Sequence, residues 1–98
     1  MLLKYTGDSD MSNVTQREAI KFIRRLEDFT ASNFYGERIG PTYYVFSYAK
    51  LIARHDGKMW AVNPNRYSVT TSRHQSLVRQ AIGGAPINAK WYITDMID

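Results

Sequence analysis

Apolar residues recur with helical spacing early in the chain, with strand spacing through its middle, and with helical spacing again before its last fifth. Ala19, Phe22, Ile23, Leu26 and Phe29 fall at i, i+3, i+4, i+7 and i+10, one face of an α-helix. Lys21, Arg24, Arg25 and Asp28 occupy the other faces. Ahead of them Thr15-Gln16-Arg17-Glu18 has the capping-box form, in which hydroxyl and carboxylate each satisfy the other residue's amide. The pattern predicts a helix from about Gln16 to Thr30, with Asn33 and Gly36 at its end or in the loop beyond.

After Gly40-Pro41 the pattern changes to that of strands: Thr42 to Tyr48, Leu51 to His55 and Lys58 to Val62. Asp56-Gly57 between the last two is a hairpin signal, because a tight turn there needs positive φ. A two-residue turn would set His55 opposite Lys58, Ala53 opposite Trp60 and Leu51 opposite Val62. With Ala49-Lys50 as the preceding turn, Tyr44, Phe46, Tyr48, Leu51, Ala53, Trp60 and Val62 share the expected core face. Tyr43, Val45, Ser47, Ile52, Arg54, Met59 and Ala61 take the other face. Arg66 to Val69 reads as a short strand. A second helix follows from about Arg73 to Ile82, with Ser72 and Gln75 as its capping box, His74, Leu77, Val78 and Ala81 on one side, and Gly83-Gly84 as its stop. Met1 to Thr6 and Lys90 to Ile97 could each add a strand, the latter also serving as a docking tail. The predicted fold is α+β: an antiparallel meander of three or more strands packed against two amphipathic helices, one domain over residues 1–98.

Composition fits a small folded domain: 98 residues, 44% hydrophobic and 13% aromatic, without cysteine. The absence of cysteine excludes disulfides and thiolate metal sites, and no apolar run approaches the ~20 residues of a membrane span. The start, M-L-L-K-Y-T-G-D, has no basic region followed by a long apolar stretch, so a cytoplasmic protein is expected. Charge changes the picture more. Between Arg38 and Lys90 the chain carries eight Lys/Arg and one acid, Asp56, so a segment of +7 stands beside remaining segments summing to −3. Such a skew points to an acidic or polyanionic partner.

Candidate chemistry is sparse. His74 lies near Thr71 and Ser72, but no carboxylate lies between Gly57 and Thr94 to orient it, and a helix cap beside a half-buried histidine is the plainer reading. His55 and His74 have no metal-binding spacing, no glycine-rich phosphate loop is present, and neither an enzyme nor a cofactor is expected. Lys50, Arg54, Lys58, Arg66, Arg73 and Arg79 occur among Tyr43, Tyr48, Trp60 and Tyr67, as would suit phosphates and stacked bases. The plainer reading places these rings in the core and lets the cations keep the domain soluble.

S-Y-A-K-L-I-A (Ser47 to Ala53), the tryptophan of the next strand (Trp60) and Y-S-V-T-T-S-R-H-Q (Tyr67 to Gln75) resemble a family of short uncharacterised proteins encoded by bacteriophages, notably phages of actinobacteria. The likeness runs roughly from Tyr43 to Arg79 and rests mainly on the second motif. It implies a small protein made in an infected bacterium, where such proteins often bind host machinery. The expectation is a non-enzymatic accessory protein in the host cytoplasm that binds a host protein through a basic sheet–helix surface comprising Arg54, Lys58, Arg66, Arg73 and Arg79. The alternative is a nucleic-acid-binding module using those cations with Tyr43 or Trp60. Oligomeric state is left open.

Overall fold

The computed structural model describes residues 14–83. The elements run α1 (Ala19–Arg24), β1 (Phe29–Ala31), β2 (Phe34–Ile39), β3 (Thr42–Ser47), β4 (Lys50–His55), β5 (Trp60–Val62) and α2 (Val69–Ile82). The strands form one antiparallel meander in the order β1-β2-β3-β4-β5, and the helices pack beside each other on one of its faces. This is the expected α+β architecture, with two strands more than the three named from the sequence. The expected outer segments, Met1 to Thr6 and Lys90 to Ile97, lie outside the described residues.

The capping box before α1 is formed. Thr15 Oγ1 accepts from the Glu18 amide at 3.0 Å, and Glu18 Oε1 accepts from the Thr15 amide at 3.0 Å. Those bonds hold the Glu18 carboxyl below the usual carboxylate range. The helix then stops much earlier than Thr30. Leu26 turns to a φ of 55°, its amide bonds Ile23 O at 3.1 Å, and the Glu27 amide bonds Phe22 O at 2.9 Å. This pair of bonds is a Schellman motif with leucine where glycine is usual. Leu26 still packs against the core, so burial offsets its backbone strain. Phe29, which continues the helical spacing, is in fact the first residue of a strand and fully buried.

β2 was hidden by Gly36, which the spacing assigned to a helix end or loop. Gly36 pairs Phe29 on one side and Val45 on the other, and a Cβ there would run into the Tyr43 hydroxyl and come within 2.6 Å of Phe29 Cδ1. The missing side chain is what lets those two rings lie over the strand.

The β3–β4 turn is Tyr48-Ala49, not Ala49-Lys50, since Ser47 pairs Lys50. Moving the turn by one position shifts the pairing by two residues, so Phe46 and Leu51 still share a side, as expected. What changes the faces is an irregularity between Val45 and Phe46, which leaves Ile52 as an extra residue in β4 and sets Ala53 opposite Val45. Tyr43, Val45 and Ser47 face the helices with Ala53, while Tyr44 and Phe46 are half-buried on the reverse, with Leu51 and Ala61. The β4–β5 hairpin is a four-residue connection, Asp56 to Met59, with His55 opposite Trp60 and Ala53 opposite Val62. The shift of two residues leaves Ala53, Trp60 and Val62 on the expected face. No regular strand forms at Arg66 to Val69: 63–68 is a loop, and Ser68 rather than Ser72 or Thr71 caps α2, accepting from the Thr71 amide at 3.1 Å.

Candidate functional site

The hydroxyl and imidazole groups that invite a catalytic reading meet at one end of the sheet, but with a different serine. Ser47 Oγ lies 2.7 Å from His74 Nδ1 and 3.0 Å from Thr71 Oγ1, and Gln16 Nε2 lies 3.0 Å from His74 Nε2. His74 also stacks on Phe34, the ring centroids 4.4 Å apart and the planes 3° from parallel. An amide nitrogen facing Nε2 makes that atom the acceptor and leaves the proton on Nδ1. The imidazole thus donates to Ser47, the opposite of the proton movement that activates a nucleophile. Ser47, Thr71 and His74 are all buried. Burial also lowers the His74 pKa below its ordinary 6.5, so the ring is held neutral. Ser72 is exposed on the outer side of α2.

The same end is tied to the 63–68 loop. Gln75 Nε2 donates to Asn63 O at 2.8 Å and Asn65 O at 3.0 Å, while Asn63 Nδ2 donates to Leu51 O at 2.9 Å and Tyr67 Oη at 3.1 Å. Lys50 Nζ sits 5.3 Å from the centre of the Tyr67 ring. Tyr67, Ser68, Thr71, His74 and Gln75, which give the Tyr67–Gln75 motif its character, therefore hold α2 and its approach loop to the sheet. Among the described residues, no group of three or more His, Asp or Glu side chains could hold a metal ion.

The five cations expected at a partner surface are distributed around the sheet. Arg66, in the 63–68 loop, and Arg73, on the outer side of α2, lie with Lys50 at the Ser47 end and are exposed. Arg79 is exposed farther along α2, beside a shallow depression lined by Ile52, Val62, Asn63 and Gln75. Lys58 stands exposed in the Asp56–Met59 turn at the opposite end of the sheet. Arg54 is half-buried between Tyr44 and Ala61, on the sheet face away from the helices. Of the rings named beside those cations, Tyr43 (1% exposed) and Trp60 (4%) are inside, edge to face 6.1 Å apart, and Tyr67 is half-buried. Burial pushes the Tyr43 phenol strongly up, and its hydroxyl donates to Glu27 O at 2.7 Å. Sequence reasoning missed Tyr48 as a surface feature because the expected register put it in the core; it is 47% exposed.

A sequence profile for a family of unknown function matches residues 8–91, extending beyond the Tyr43–Arg79 likeness on both sides. The chain belongs to that family, DUF8033. No curated protein and no solved structure matches it. Among the described residues no helix is long and apolar enough to cross a membrane.

Proposed function

We propose that this member of DUF8033 is a non-enzymatic phage accessory protein that works in the host cytoplasm by binding a host protein through its basic surface. The observation that carries this reading is the combination of exposed cations with the burial of Tyr43 and Trp60, which leaves Tyr48 as the well-exposed ring among them. Lys50, Lys58, Arg66, Arg73 and Arg79 are exposed, and Asp56 is the single carboxylate between Lys50 and Gly83. Tyr43 and Trp60, which would have to stack on bases, are core residues. A surface that offers charge with one well-exposed ring, rather than a row of rings for successive bases, suits an acidic protein better than single-stranded nucleic acid. The motif likeness supplies the phage context. The non-enzymatic reading draws on the burial of His74 and Ser47.

The contact surface is centred on Arg66, Arg73 and Arg79 with Lys50, the cations on the α2 and loop side of the sheet. Lysate of the host bacterium passed over the immobilised protein, with and without nuclease, tests the proposal. A partner that survives nuclease and is lost with the Arg66→Ala, Arg73→Ala, Arg79→Ala triple variant is the expected result. A partner released by nuclease would replace this reading with phosphate-backbone binding, whose affinity falls steeply with salt.

A further inference from the structure

We infer that Tyr48 is the anchor by which the protein docks on an acidic protein surface, an inference that rests on the host-protein reading above. Among the described residues, three other than glycine have positive φ: Leu26, Asn33 and Tyr48, at 55°, 55° and 58°. Two have local explanations. Asparagine tolerates the left-handed region, and Leu26 packs its side chain against the core. Tyr48 has neither excuse. It is a bulky ring at the first position of a two-residue hairpin turn, where glycine would be unstrained, and almost half of it faces solvent. The turn is fixed by the Tyr48 amide, which donates to Asn33 O at 2.9 Å, and the ring leans on His74 with centroids 6.4 Å apart. Strain retained at a residue that leaves almost half of its ring in solvent points to a use outside the fold.

The surroundings specify the partner. Lys50 is two residues on, its ammonium fixed over Tyr67, and Arg73 adjoins the histidine on which the ring leans. The carboxylate of the adjoining N-terminal turn, Glu18, is folded back on the Thr15 amide, and Asp56 is at the far end of the sheet. An aromatic knob rimmed by cations fits an apolar notch bordered by carboxylates, and tyrosine and arginine are among the residues enriched in binding hot spots. Base stacking is the weaker fit, because single-strand platforms stack successive bases on several rings. Here Tyr43 and Trp60 are in the core and Lys50 covers Tyr67.

The test compares Tyr48→Gly and Tyr48→Phe with the unaltered protein, using as probe the protein partner recovered from nuclease-treated host lysate, purified and titrated. Tyr48→Gly is expected to keep or raise the melting midpoint, because glycine relieves the turn, and to weaken binding at least about 30-fold. Tyr48→Phe is expected to keep most of the affinity. A clear fall in the midpoint of Tyr48→Gly would make Tyr48 a fold residue and overturn the inference. Unchanged affinity in Tyr48→Gly, with binding lost in the Arg66→Ala, Arg73→Ala pair, would overturn the anchor and leave the basic surface standing. Absence of any nuclease-resistant partner would overturn both. Tight binding of a labelled single-stranded oligonucleotide, lost in Tyr48→Gly, would reassign the ring to base stacking.

Discussion

The two ends of the sheet are held in different ways. At the Ser47 end, buried Ser47, Thr71 and His74 bond to one another from β3 and α2, and half-buried Gln16 joins them from the N-terminal turn. At the Tyr43 end the ties run from side chain to backbone. Tyr43 Oη donates to Glu27 O, and the Arg38 guanidinium reaches Leu26 O at 3.4 Å. The Asp56 turn closes on itself, with Asp56 Oδ1 accepting from the Lys58 and Met59 amides at 2.9 Å each. A buried polar network stabilises only when each member keeps its partner, so it fixes where α2 sits. A self-closed surface turn makes no such demand. One end therefore specifies the position of α2, and the other tolerates change.

The two ends should differ most at their histidines. His74→Ala removes a stacked, buried ring and should cost about 3–5 kcal/mol, as for a buried aromatic. His55→Ala, with its ring half-exposed and 5.0 Å from Trp60, should cost about 1 kcal/mol or less. Urea denaturation of both variants should separate them clearly; equal costs would erase the distinction between the ends. Ser47→Ala should follow at about 1–3 kcal/mol, since it strands the Nδ1 proton of His74 in the interior. Ser72→Ala, by contrast, should leave the midpoint unmoved within about 0.5 kcal/mol.

Smaller effects are expected at the helix starts. Thr15→Ala and Ser68→Ala should each cost about 0.5–2 kcal/mol in the same denaturation series. The least of the expected changes is with pH. His74 has its pKa lowered by burial, so below its ordinary value of 6.5 the unfolded chain binds more protons than the folded one. Its contribution is complete above that value and declines as pH falls toward the folded pKa. Midpoints measured from about pH 7.5 to about 5.5 should fall, and His74→Gln should flatten the decline more than His55→Gln.

Much of this organisation could be read from residue spacing. The Thr15–Glu18 box, the three central strands, the helix ending at Gly83 and the hairpin around Asp56-Gly57 all follow from local chemistry. What escaped was decided by tertiary contacts. Nothing local in Leu26 announces a left-handed residue, so a helical spacing that included Phe29 concealed the chain reversal and β1. Gly36 looks like a breaker until Phe29 and Tyr43 are placed over it. The extra residue at Ile52 sets Ser47 and Val45 inward and Phe46 on the reverse, and the turn at Tyr48-Ala49 leaves Tyr48 outside the strand pairing. Neither the bulge nor a tyrosine in that turn is announced by local preference, so the polar cluster and the exposed ring were both missed. The cations were legible as residues, but their distribution over two ends and two faces depends on the register.

On the proposed function, the Ser47 end, with its cations and exposed ring, is where a protein partner sits. Hydrogen–deuterium exchange of the protein, alone and saturated with the partner recovered from nuclease-treated lysate, measures this directly. Slowed exchange concentrated in 47–50 and 66–73 is the predicted result. Slowed exchange confined to 39–42 and 56–59, at the other end of the sheet, would contradict it.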